Sequence, residues 1–154
     1  MPGPMPQKSD SQLRKERLGF YREEMSEINA TLRGFLQRAK ANGAFLVDKD
    51  GHLITREGAD EHMDIDAICG LVAGAFAATK HMALILGEEG FLNLFHQGKR
   101  ANIQVTLIGN RTILAVVFDD TTTIGMVRLY LAEAANALNM IFKRIEQKQE
   151  AAGV

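Results

Sequence analysis

The residues of this chain that could carry chemistry are its four histidines and its single cysteine. The histidines, His52, His62, His81 and His96, have no HxxxH or HExxH spacing, the pattern that places two metal ligands on one face of a helix. We therefore expect no metal site. Cys69 lies in an apolar segment, where a cysteine usually packs as a small hydrophobic side chain, and we expect no redox or catalytic role for it.

Nucleotide binding and covalent catalysis also lack their usual residues. The GEEG segment at 87–90 has no adjoining Lys-Ser or Lys-Thr pair to reach phosphates and magnesium, so we do not expect the chain to bind GTP itself. No nucleophile–base pair is recognisable, which makes an enzyme the least favoured class and predicts no cofactor. An arginine placed in trans accelerates GTP hydrolysis about 10³–10⁵-fold. Four arginines are candidates by residue type, although solvated surface charge explains each more simply: Arg56, Arg100, Arg111 and Arg128.

The overall composition is that of one globular domain without a nucleic-acid partner. The chain has 154 residues, of which 46% are hydrophobic and 24% are charged. The formal net charge of −1 gives no electrostatic basis for binding DNA or RNA. A single cysteine excludes an internal disulfide and fits a reducing compartment, and the N-terminus has no apolar segment typical of a signal peptide. We predict a cytoplasmic protein with no membrane partner.

Hydrophobic periodicity and turn residues predict the elements that position these side chains. A first helix begins at Leu13 and ends at Asn42-Gly43, with Gly43 in the left-handed region. A second helix starts after the N-cap Asp64 and stops at Gly87. The predicted strands cover residues 44–47, 52–56, 91–96, 102–108 and 112–118. The buried face of a third helix is predicted to comprise Met126, Leu129, Ala132, Ala135, Leu138, Met140, Ile141 and Ile145.

These elements predict an α+β sandwich, ordered helix, two strands, helix, three strands, helix. Connections of hairpin length favour an antiparallel five-stranded sheet, flanked by helices. We assign the domain to residues 13–148, between disordered tails at 1–12 and 149–154, because the N-terminal residues are rich in Pro, Gly, Ser and Gln.

The second helix is the most informative element, because it is apolar around most of its circumference. Small residues and one histidine recur along it at spacings of three and four: Gly70, Ala73, Gly74, Ala77, Ala78 and His81. Larger apolar residues occupy its other sides: Leu71, Val72, Ala75, Phe76, Ala83, Leu84 and Leu86. One sheet can bury only one side of a helix, so we expect a second molecule to cover the rest. The alternative, for any one residue of the small stripe, is packing on its own sheet.

Taken together, these segments resemble a Roadblock (dynein light-chain type) domain, and within that family the chain is similar to the bacterial MglB-like proteins. The resemblance rests on FLVDKDGHLI, LVAGAFAAT, LGEEGF, HQGKR and VVFDDTTTIGMVRL, in this order and spacing, and covers residues 21–145. It implies a homodimer in which second helices and third strands pair across a two-fold axis. It also implies a partner, a Ras-like small GTPase of the MglA type.

The resemblance further implies that the dimer stimulates GTP hydrolysis by this GTPase without supplying an arginine, and so controls cell polarity and gliding motility. The residues that it places against the GTPase are Ala73, Ala77, Lys80, His81 and Leu84. The residues that it places in the dimer interface are Gly70, Gly74, Phe91, Leu94 and His96. The alternative is a Roadblock scaffold or nucleotide-exchange regulator, since tethering a GTPase or a motor complex would use the same interface.

Overall fold

The structure, a computed structural model, describes residues 3–4, 6–13, 21–59 and 62–153. Its long helices and strands follow the predicted order. They are α1 (Arg22–Ala39), β1 (Gly43–Asp48), β2 (Leu53–Gly58), α2 (Ile65–Ile85), β3 (Asn93–Gln97), β4 (Asn102–Ile108), β5 (Thr112–Phe118) and α3 (Ile124–Ala151).

The five strands form one antiparallel sheet in the order β2-β1-β5-β4-β3, which confirms the predicted fold class. The central strands β1 and β5 pair Phe45 with Ala115 and Leu46 with Leu114. The strand β3 pairs with β4, and no described strand pairs with its other edge. An unpaired edge of this kind leaves backbone N–H and C=O groups available to another chain.

Helices cover both faces of the sheet. The helices α1 and α3 pack on one face against residues such as Leu46 and Leu114, while α2 packs on the other face against Phe45 and Ala115. Successive side chains of a strand point to opposite faces. This alternation, with helices on both faces, explains why residues 44–47 of β1 and 113–118 of β5 are all apolar.

Two helix ends show how local sequence sets the element boundaries. The side chain of Asp64 caps α2 as predicted, accepting a hydrogen bond of 3.1 Å from the backbone N–H of Ala67. The predicted end of α1 was wrong, because Lys40 rather than Gly43 takes the left-handed conformation, with a φ of 57°. Gly43 instead begins β1, where an added β-carbon would lie 3.1 Å from Ala59.

The predicted buried face of α3 was also partly wrong. Leu138 and Ile141 are buried, and Ala135 and Ile145 are partly buried. The other four predicted residues are exposed: Met126, Leu129, Ala132 and Met140. The buried residues of α3 are Val127, Leu131, Ala134, Leu138 and Ile141. These residues are also spaced by three and four, the period of a helix. The sequence therefore contained two apolar stripes on this helix, and the prediction took the wrong one.

Two predicted boundaries concern the ends of the domain. Residues 10–13 are helical, so helix extends into the stretch 1–12 that we assigned to a disordered tail. Residues 14–20, which follow the predicted helix start at Leu13, lie outside the described residues, and the helix α1 begins at Arg22. At the other end, α3 continues to Ala151, into the stretch 149–154 that we assigned to a tail.

Candidate functional site

One side of α2 packs on the sheet and the opposite side has no cover within the described residues. The sheet side is buried and consists of Ile65, Cys69, Val72, Ala73, Phe76, Thr79 and Ala83. The opposite side exposes large apolar side chains, with Leu84 69% and Ile85 83% exposed. Gly70 and Gly74 lie on this side too, and a β-carbon added at either would meet no atom within 4 Å. Another backbone can therefore approach α2 closely here.

By length and composition alone, the helix α2 is also long and apolar enough to cross a membrane. In its most apolar stretch of 18 residues, 33% of the residues are buried. A core helix of a soluble protein can have the same length and apolar composition. The packing of Cys69, Val72 and Phe76 against the strands agrees with the predicted core position of this helix.

The residues predicted to face a GTPase lie along one flank of α2, and all but one of them are exposed. Ala77, Lys80, His81 and Leu84 are exposed. Ala73 is only 6% exposed and belongs to the core between α2 and the sheet. For Ala73, the alternative of packing on its own sheet is therefore what the structure shows.

The residues predicted for a dimer interface fall on two neighbouring elements. Gly70 and Gly74 are on the exposed side of α2. Leu94 and His96 are on the edge strand β3, where Leu94 packs partly under α2 and His96 is exposed. Phe91 precedes β3 and is half-buried beside the C-terminal half of α2. The uncovered side of α2 and the open edge of β3 thus belong to the same half of the molecule.

Beside α2 lies a cavity of about 160 Å³, which sequence reasoning did not predict. Its walls come from α2, from the segment between α2 and β3, and from the β1–β2 and β4–β5 turns. The residues that line it are Lys49, Ala73, Phe76, Ala77, Thr79, Lys80, Glu89, Gly90, Phe91, Leu107, Asn110, Arg111 and Ile113. Three of the five predicted GTPase-facing residues, Ala73, Ala77 and Lys80, are among them.

The side chains with the potential for chemistry have structural explanations. Burial raises the pKa of the Cys69 thiol, and the nearby carboxylates of Asp66 and Asp48 raise it further, so the reactive thiolate is disfavoured. In the β1–β2 turn, the carboxylate of Asp48 accepts hydrogen bonds of 2.9 Å from the backbone N–H groups of Asp50 and His52. The proximity of Asp48, Asp50 and His52 thus follows from the turn itself.

The four candidate arginines are all exposed and lie on four different segments of the chain. Arg111 lines the cavity beside α2. Arg128 lies on α3, and its guanidinium carbon is 6.0 Å from the centre of the Phe95 ring, on the sheet face that α1 and α3 cover. Arg56 is on the edge strand β2, and Arg100 is in the β3–β4 turn.

Comparison with known proteins gives a consistent assignment. A family model for the Roadblock/LC7 domain matches residues 27–118. The structure is similar to Myxococcus xanthus MglB, with a TM-score of 0.74 and 37% sequence identity, covering 77% of this chain and 96% of that one. It is also similar to the gliding protein MglB of Thermus thermophilus, with a TM-score of 0.75 and 31% identity, covering 79% of this chain and 92% of that one.

A further MglB structure, described as having a tetrameric arrangement, has a TM-score of 0.72 and 31% identity, covering 81% of this chain and 91% of that one. No curated protein matches the chain in sequence.

Proposed function

This chain belongs to the Roadblock/LC7 family, and on that basis we propose that it is a homodimer that binds a Ras-like small GTPase of the MglA type and stimulates its GTP hydrolysis. It is a regulator and not itself an enzyme. Similarity to MglB proteins over nine-tenths of their length supports this choice within the family.

The observation that carries the proposal is the uncovered side of α2. Large apolar side chains such as Leu84 and Ile85 flank small residues such as Gly74 and Ala77, and all are exposed. Contiguous exposed apolar surface usually marks a protein interface. Small residues at its centre let a partner's backbone approach closely, and the helix itself is a rigid platform.

The homodimer is proposed from the second uncovered feature, the open edge of β3. Pairing of two β3 edges across a two-fold axis would extend the sheet from one protomer into the other. The same axis would bring two α2 helices side by side through Gly70 and Gly74, where a β-carbon has no neighbours. The tetrameric arrangement of one similar MglB supports self-association as a property of this fold.

The mode of stimulation that we propose is positioning of the GTPase's own residues, as the similarity to MglB proteins implies. Of the four candidate arginines, only Arg111 lines the cavity beside α2. In the cell, we propose a cytoplasmic role in polarity and gliding motility. The similar Thermus protein is named for gliding.

Single-turnover GTP hydrolysis by the MglA-like GTPase, with and without this protein, tests the proposal. We expect a higher rate with the protein present. Ala77→Arg should abolish binding while the circular dichroism spectrum stays normal, because Ala77 is exposed on α2. The matched control is Ala132→Arg, at an exposed position of α3 on the opposite face of the sheet. Binding without any change in the hydrolysis rate would instead support the scaffold alternative.

A further inference from the structure

The cavity beside α2 has an apolar interior and a charged rim. Its apolar walls are formed by Phe76 of α2, Leu107 of β4 and Ile113 of β5. The volume is about 160 Å³. A protein cavity of about 150 Å³ accommodates a benzene ring, so this one has room for a single large apolar side chain.

Positive charge dominates the rim. Lys49, Lys80 and Arg111 are exposed there, and Glu89 is the one carboxylate among the lining residues. The ion pairs of the described residues involve other side chains, so the three cations at this rim have no carboxylate partner in the described part of the protomer. The field at the mouth of the cavity therefore favours an approaching anionic group.

We propose that this cavity is a socket for the GTPase, which inserts one aromatic or aliphatic side chain flanked by carboxylates. The proposal rests on the proposed function and specifies the chemistry of the partner at that surface. Two residues connect the socket to the exposed flank of α2, since Ala77 and Lys80 belong to both. The apolar side chain supplies the buried contact, and the carboxylates pair with Lys49 and Arg111.

The two parts of this contact have different kinetic signatures. Charges at the rim accelerate association and make it sensitive to salt, whereas a buried apolar anchor mainly slows dissociation. Reversing the charges of the rim should therefore reduce the association rate. Filling the cavity from within, by Ala77→Leu, should increase the dissociation rate, because the anchor no longer fits.

The test compares the double variant Lys49→Glu/Arg111→Glu with the matched control Arg22→Glu/Lys143→Glu. The control makes the same charge change at exposed positions of α1 and α3, the helices on the opposite face of the sheet. Binding to the MglA-like GTPase of the same genome, loaded with the non-hydrolysable analogue GMPPNP, is measured by stopped-flow mixing at about 50 and about 200 mM salt. We expect the rim variant to lose about 10-fold in affinity, mostly in the association rate, and to lose salt sensitivity. The control should stay within about twofold.

Each other outcome has a definite meaning. If the wild type binds and the rim variant binds equally well, the socket is wrong while the proposed function stands. If the rim variant becomes monomeric in sedimentation while the wild type is a dimer, the cavity belongs to the self-interface, which also overturns the proposal. If the wild type neither binds nor stimulates the GTPase, the proposed function itself fails. Thermal unfolding of every variant confirms that it is folded.

Discussion

Gly51 in the β1–β2 turn packs against the backbone of Gly70 in α2, so closely that a β-carbon on Gly51 would lie 3.1 Å from the Cα of Gly70. The same β-carbon would lie 3.6 Å from the β-carbon of Ala73. This contact holds the turn against the helix. Lys49 belongs to that turn, so the position of one rim charge depends on this approach of two glycines.

Gly51→Ala should destabilise the protein by about 1–3 kcal/mol. Gly51 has a φ of +89°, a conformation that side chains with a β-carbon rarely adopt, and the added methyl group would press on Gly70. Equilibrium unfolding in urea measures the change. The control is Gly34→Ala in α1, where nothing lies within 4 Å of the new β-carbon, and which should stabilise the protein by about 0.5–1 kcal/mol. Equal effects of the two substitutions would show that neither the backbone conformation of Gly51 nor its contact with Gly70 disfavours a side chain at this position.

The fold followed from the sequence because its periodicities are strong. The apolar strands β1 and β5 lie in the centre of the sheet, and Asp64 and Gly87 mark the two ends of α2. Local spacing is less informative about which side of a helix faces the sheet. Ala73 and Ala77 share one stripe, yet Ala73 is buried and Ala77 is exposed, because the side facing the sheet is set by strands distant in the chain.

The socket could not be predicted from the sequence for a related reason. Lys49, Glu89 and Arg111 are far apart in the chain and meet only because two hairpin turns and the segment after α2 lie at the same end of the sheet. No sequence motif indicates that these residues are close in space. The register of strand pairing determines it, and the sequence showed each turn but not their convergence.

Gly74→Arg should convert the proposed dimer into a monomer without lowering the melting temperature of the protomer. The arginine would project from the exposed side of α2, where the protomer has open space but a second helix would not. Sedimentation velocity at several concentrations measures the change in mass. Asn136→Arg, on the exposed side of α3, serves as the control and should leave the mass unchanged. A wild-type protein that sediments as a monomer would itself contradict the proposed dimer.

None of the four candidate arginines should behave as an arginine finger. Replacing each in turn by alanine (Arg56, Arg100, Arg111 and Arg128) should leave the maximal stimulated rate within about threefold, whereas loss of a finger costs about 10³–10⁵-fold. Arg111→Ala should raise only the concentration needed for half-maximal stimulation, because its proposed role is in binding. Titrations of the regulator against GTP-loaded GTPase separate the two parameters. A collapse of the maximal rate with intact binding, for any one variant, would establish a finger.

An ion pair joins the start of α1 to the end of α3 and should give the protein's stability a specific acid dependence. Glu24 is 8% exposed, and its carboxylate lies 3.3 Å from the Nζ of Lys148. The pKa of Glu24 is below its ordinary value of 4.5, because its carboxylate is hydrogen-bonded to its own backbone N–H and to Lys148, which outweighs the effect of burial.

Glu24→Gln should therefore lower the free energy of unfolding at neutral pH, with an effect that vanishes in acid. A carboxylate whose pKa is lowered by folding contributes stability above its unfolded pKa, near 4.5, and loses it as the pH falls through the folded pKa. Urea unfolding of wild type and variant between about pH 7 and pH 3 measures the difference. The exposed pair of Arg38 and Glu133 is the control, since Glu133→Gln should cost less than about 1 kcal/mol. A difference for Glu24→Gln that stays constant down to the lowest pH would mean that its charge contributes nothing, and that the effect comes from altered packing between α1 and α3.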